Sequence, residues 1–260
     1  MKAPDKDSEK RQEKDEFKAV AELLLPHAVP LFLAPSRDSD PKDVICSGSG
    51  ALIDTGERQL LITCDHVWKR FKQAVNDSAH VICMSMGDFI ANISDFEAID
   101  SDETLDIAVL DLSDFKFPDG SDKKFCKSLK WPPNRPQEEE VLVCLGFPGA
   151  LRGTDETGDR IRFLTTDVTD SIISVSDRHI ALADERGLRE FFYHLVENFP
   201  EELSLGGMSG CPAFVKRSSG FVFVGIVYES SDNSDGIIYV SHADFINNLG
   251  RIDWSRVPPL

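Results

Sequence analysis

The 260-residue chain reads as an all-β protein built from two β units. Three observations predict this. From Val44 onward the apolar residues come in short runs broken by Gly, Asp, Asn, Ser and Pro, the rhythm of barrel or sandwich strands. A Pro-rich, acidic segment, FPDGSDKKFCKSLKWPPNRPQEEE, then interrupts those runs and separates an earlier set from a later one. Helical spacing appears in only two internal segments, VWKRFKQAV and LREFFYHLVENF.

Residues 1–20 form a polar leader with too little apolar content to fold on its own. Within EFKAVAELLLPHAVPLFLAP a short helix is expected to stop at Pro26, followed by a strand from Ala28 to Leu33, with His27 as a capping or surface residue. The first unit, 21–118, continues through ALID, QLLITCDHV, AHVICMSM, DFIANISDF and LDIAVLDL. A linker spans 119–139. The second unit, 140–250, contains EVLVCLGF, RIRFLTTDV, SIISVS, HIALAD, CPAFV, GFVFVGIVYES and GIIYVS. Ser241 is placed to cap a last short helix in SHADFINNLGRI, ahead of a tail at 251–260.

A formal charge of −17 argues against nucleic acid or an anionic membrane as a partner, because phosphate neutralisation requires clustered Lys and Arg. No run reaches the roughly 18 apolar residues of a membrane span, and the N-terminus lacks a secretory core, so a soluble, cytoplasmic protein is expected. The six cysteines are scattered without a CxxC pair or a zinc-like His spacing, and read as small buried hydrophobes in a reducing compartment.

The chemistry concentrates in three segments. SLGGMSGCPAF places Ser209 in a Gly-rich turn ahead of an apolar strand. Gly207 and Gly210 permit positive φ there, and the amides of Gly207 and Ser209 can converge on one oxyanion. A serine hydroxyl needs a base, and the base needs an anion to hold its tautomer. LLITCDHV supplies a candidate base, His66, at a strand end. DETLDIAVLDL supplies acids: Asp106 stands at a strand start, but Asp100, Asp102 and Asp111 are close, and composition does not choose among them.

Over residues 28–246 the sequence resembles the trypsin-like, chymotrypsin-fold serine peptidases, in particular the disulfide-free bacterial branch with HtrA-like enzymes. GSGALI is similar to that family's strand opening, ITCDHV to its histidine motif, LDIAVLDL to its aspartate motif, GGMSGCPAF to its serine motif, and FVGIVYES to the strand bordering its substrate pocket. The motifs occur in the order His, Asp, Ser, with gaps of about 40 and about 100 residues. The resemblance implies two packed six-stranded antiparallel barrels and a triad of His66, Asp106 and Ser209. It further implies an oxyanion hole from Gly207 and Ser209, substrate-binding positions at Leu203, Ser204, Tyr228, Glu229 and Ser230, a protein or peptide substrate, and no metal or organic cofactor. Leu203 at the pocket base favours an uncharged P1 side chain, against which Glu201, Glu202 and Glu229 weigh.

The sequence departs from the family at three places. Met208 stands where digestive members carry the aspartate that pairs with a newly cut N-terminus. Cys211 replaces the second glycine of the serine motif and puts a thiol near the site. Tyr228 replaces a serine that supports the triad aspartate.

Two other readings compete. An α/β-hydrolase would use Ser209 with His242 and Asp232 or Asp235, but Cys211 breaks its elbow motif and a strand, not a helix, follows. A peptide-binding domain could share the fold without turnover.

Overall fold

A computed structural model describes residues 19–34, 46–77, 80–86, 89–154, 161–183, 206–230 and 237–259. The chain is helical over 19–24, turns through a 3₁₀ segment at Leu25–His27 that contains Pro26, and enters β1 (Ala28–Ala34). β1 is buried along its whole length, which is why its sequence is continuously apolar rather than alternating. Pro30 is accommodated because pairing with the strand on that side begins only at Leu31. His27 donates through Nδ1–H to Lys124 O (2.9 Å) and tethers this turn to the later linker.

The first unit continues with β2 (Cys46–Asp54), β3 (Gln59–Thr63), a helix (Asp65–Asp77), β4 (Val81–Met86), β5 (Phe89–Asn92), β6 (Ala98–Asp102) and β7 (Ile107–Asp111). The strands run in the order β5-β4-β1-β2-β3-β7-β6, and β8 (Cys126–Lys127) adds to β2 in parallel. All the pairs within the seven-strand path are antiparallel. Among the described residues this path is open between β5 and β6, where a six-stranded closure was expected. The gap is spanned by a turn at 93–96, and a row of rings, Phe96, Phe115, Phe117 and Phe125, packs edge to face or tilted beneath it.

The second unit is a closed barrel. Its six strands are β9 (Val141–Gly146), β12 (Thr166–Val175), β13 (His179–Ala183), β14 (Pro212–Arg217), β15 (Gly220–Ser230) and β16 (Ile237–His242), in the order β12-β13-β16-β15-β14-β9. A small hairpin of β10 (Arg152–Thr154) and β11 (Ile161–Phe163) stands outside it. The barrel interior is filled by Leu142, Cys144, Val168, Ile180, Leu182, Val215, Val224 and Val240, all buried, together with Met208 and Cys211.

The core of the first unit extends into the second through Val143, Phe214, Phe223 and Ile226, so the two units share an apolar interface. The connecting segment lies along it. Trp131 stacks on Phe223 with centroids 6.2 Å apart and donates its indole N–H to Ile246 O at 2.9 Å. Arg135 pairs with Asp244 (2.9 Å), and Arg217 with Glu140 (3.0 Å). The expected terminal helix does not form. β16 runs on through His242 into a single 3₁₀ turn, Ala243–Phe245, because the Ser241 hydroxyl donates to Leu105 O of the first unit (2.6 Å) instead of capping. The helix expected in 188–199 lies outside the described residues. Among those residues no helix is long and apolar enough to cross a membrane.

Candidate functional site

His66 occupies the first turn of the helix Asp65–Asp77, reached directly from β3. Its backbone N–H donates to Asp106 Oδ1 (2.9 Å), and its ring Nδ1 lies 2.6 Å from Asp106 Oδ2. One carboxylate therefore fixes both the main chain and the ring, and selects the tautomer with its proton on Nδ1. The carboxylate side chain is 16% exposed and the imidazole side chain 53%. Hydrogen bonding to Asp106 is the largest cause raising the His66 pKa above its usual value, opposed by burial and aided by the charges of Asp106 and Asp65.

Asp106 reaches this position through a left-handed backbone, φ +50°, at the turn before β7. Asp can adopt that region, although it is uncommon for any residue with a Cβ. The turn is held from both sides: Leu105 N–H donates to Asp102 Oδ1 (2.8 Å), and Leu105 O accepts from Ser241. Asp100 and Asp111, the other acids open on composition, have other work. Asp100 accepts from Ile252 N–H, and Asp111 pairs with Arg58.

Ser209 lies in the turn ahead of β14. Gly207 and Gly210 have φ of +100° and +87°, as the glycine pattern predicts. A Cβ at Gly210 would lie 2.1 Å from Ser49 O, so the site excludes any side chain there. The turn is clamped by Ser49 on β2. Ser49 N–H donates to Ser209 O (2.8 Å), its hydroxyl donates to Gly207 O (2.8 Å) and accepts from Phe147 N–H (3.1 Å), and its carbonyl accepts from Thr63 (2.7 Å). Gly206 O accepts from Gly149 N–H at 2.7 Å, which turns the following amide, Gly207 N–H, the opposite way. Neither Gly207 N–H nor Ser209 N–H donates to an acceptor among the described residues.

The two halves meet at one carbonyl. Val227 O accepts from Gly210 N–H (2.7 Å), one residue after the serine, and from Cys64 Sγ (3.2 Å), two residues before the histidine. Gly48 is flanked by Val67 and by Ser209 O, which again sets the start of the helix against the serine turn. No hydrogen bond joins Ser209 Oγ to His66.

A closed six-stranded barrel is packed on a second antiparallel β unit; the His–Asp pair lies on one and the serine turn on the other. The fold is chymotrypsin-like. No family model matches the sequence, and neither does any curated protein. Solved structures do match this chymotrypsin-like chain at low identity. Rv3671c from M. tuberculosis H37Rv, in an inactive form, is 17% identical over 86% of this chain and 84% of its own, with a TM-score of 0.46. The active form of the Rv3671c protease is 17% identical over 87% and 78%, TM-score 0.45. A thermostable serine protease, AL20, from an extremophilic microorganism is 11% identical over 84% and 91%, TM-score 0.47.

Other expected positions divide. Leu203 and Ser204 lie outside the described residues. Tyr228 sits at a register shift in β15 and packs on Tyr239, ring centroids 6.1 Å apart. Glu229 and Ser230 pair with Tyr239 and Ile238 of β16. Met208 is buried in the barrel core, where a charged residue would be costly. The Cys211 thiol is wholly buried, and burial holds its pKa well above the usual range, so it lacks the thiolate character of a reactive cysteine. Three contributors carry no signal of their own in the sequence: Ser49, Cys64 and Ser241. Ser49 stands within GSGALI and Cys64 within ITCDHV, but neither motif marks that residue for a role.

Proposed function

We propose that this protein is a serine endopeptidase that cleaves peptide bonds by acyl transfer, with Ser209 as nucleophile, His66 as base and Asp106 as orienting acid. The observation that carries the proposal is the His66–Asp106 pair. A base whose Nδ1 is committed to a carboxylate at 2.6 Å keeps its Nε2 lone pair available to accept a proton. His66 takes the proton of Ser209 as its oxygen attacks the peptide carbonyl, and Asp106 stabilises the imidazolium. The amides of Gly207 and Ser209, with no acceptor among the described residues, receive the oxyanion. His66 then returns its proton to the leaving amine, and water releases the acyl group from Ser209.

The substrate backbone adds to β15. β14 stops pairing with this strand at Ile226, while Glu229 and Ser230 continue the ladder with β16, and the extended peptide is taken up along this end of β15.

The missing hydrogen bond between Ser209 Oγ and His66 favours a second reading, a peptide-binding domain without turnover. Labelling with a fluorophosphonate probe separates the two. Under the first, the native protein is labelled, and Ser209→Ala and His66→Ala are not. Labelling that persists in Ser209→Ala removes the nucleophile assignment, and absence of labelling in the folded native protein supports the binding domain.

A further inference from the structure

Cys64 is two residues from His66 in sequence, and its side chain lies in the interior beside Asp106. The thiol is fully buried, and Sγ, a His66 ring nitrogen and an Asp106 carboxylate oxygen lie within 4.8 Å of one another. A thiol, an imidazole and a carboxylate are the donor types that zinc takes in proteins. We propose that Cys64, His66 and Asp106 form a binding site for one thiophilic divalent cation, zinc being the type, and that its occupation turns off the base at His66. The second half rests on the proposed peptidase function.

The dimensions are close to those needed. Zinc bonds of about 2.0–2.3 Å at tetrahedral angles keep ligand atoms about 3.3–3.6 Å apart. Here the imidazole–carboxylate pair is closer than that, at 2.6 Å, and the remaining separations are at most 4.8 Å. The half-exposed His66 ring has the freedom to tip outward, and its solvent-facing edge gives the ion a way in. Charge also matches: once Cys64 has given up its thiol proton, the resulting thiolate and the Asp106 carboxylate neutralise the dication.

The chemistry explains the inhibition. The thiol proton of Cys64 leaves to solvent as Sγ bonds the metal. The metal takes the lone pair at Nδ1 of His66, so the single imidazole proton must reside on Nε2, the atom that has to be unprotonated to accept the proton of Ser209. Metal binding and base catalysis therefore exclude each other.

Cobalt(II) reports on the site without any need for activity. One equivalent is expected to produce a thiolate-to-cobalt charge-transfer band that zinc abolishes by displacement, that Cys64→Ala lacks and that Cys126→Ala retains. His66→Gln, at a half-exposed side chain, is expected to weaken binding at least about tenfold. In parallel, zinc should slow fluorophosphonate labelling of Ser209 at least about tenfold, a chelator should restore it, and labelling of Cys64→Ala should be indifferent to zinc. An undiminished band in Cys64→Ala, unchanged affinity in His66→Gln, or no band at all overturns the site. Labelling that fails with and without zinc counts against the peptidase, while the cobalt band still decides the site.

Discussion

A single carboxylate oxygen at 2.6 Å from His66 Nδ1 controls how this site responds to pH. The Asp106 hydrogen bond raises the His66 pKa above 6.5, so the acid limb of the labelling-rate profile should lie above that value. Asp106→Asn removes the largest cause of the shift. The limb should move down, and the rate should fall by about 10⁴-fold as the imidazole loses its preferred tautomer. The stability effect has the opposite sense. A histidine whose folded pKa is raised stabilises the fold below its unfolded value, and that contribution fades as pH rises through the folded value. Activity at His66 should therefore increase over the range in which its contribution to stability disappears, which rate and denaturation profiles on one sample would show.

The glycines of the serine turn give a second prediction. Gly210→Ala combines a φ of +87° with a Cβ placed 2.1 Å from a backbone oxygen, and should cost at least about 2 kcal/mol. Gly153→Ala meets nothing within 4 Å and should stay within about 0.5 kcal/mol. Urea midpoints of the two variants test the contrast. His66, Ser209 and the glycines were legible because the proposed chemistry dictates residue type and order. Cys64, Ser49 and Ser241 were not, because each acts through a partner 40 to more than 150 residues away that only the folded chain brings near.

Among the elements, those with strongly apolar runs were readable and those with polar faces were not. β7, β9, β14 and β15 follow the apolar segments LDIAVLDL, EVLVCLGF, CPAFV and GFVFVGIVYES. β6, with sequence AIDSD, gives no apolar signal because it is the partly exposed end strand of its sheet, tolerant of acids. The segment SHADFINNLGRI reads as a capped helix, but its serine is used across the unit boundary. That contact is testable: Ser241→Ala leaves the buried Leu105 carbonyl without this donor and should cost about 1–3 kcal/mol. Since Leu105 precedes the strained Asp106, the same variant should slow fluorophosphonate labelling and lower the pH of its acid limb. A loss of stability with an unchanged limb would confine Ser241 to a structural role.

At the scale of the whole molecule, the Pro-rich segment announced a junction between units but not how firmly it is fastened, since Trp131, Arg135 and Glu140 find their partners in the second unit. His242 lies at this junction, 1% exposed, with Nε2 against Ser176 O at 2.9 Å and its ring edge-on to Phe245. Burial, with the positive charge of Arg135 and of His179 adding to it, lowers its pKa to about 4, against the opposing pull of the Ser176 carbonyl and Asp244. The unfolded chain then binds a proton below about pH 6.5 that the folded chain refuses until about pH 4. Stability should fall as pH drops through that window, by up to about 1.4 kcal/mol per pH unit, while His66, whose folded value is raised, titrates above the window and contributes a constant amount within it. His242→Gln keeps a polar side chain that cannot take the charge, so its denaturation midpoint should lose most of this acid dependence between pH 6.5 and 4. A variant as acid-sensitive as the native protein would place the dependence on the many carboxylates of a chain with a formal charge of −17 instead.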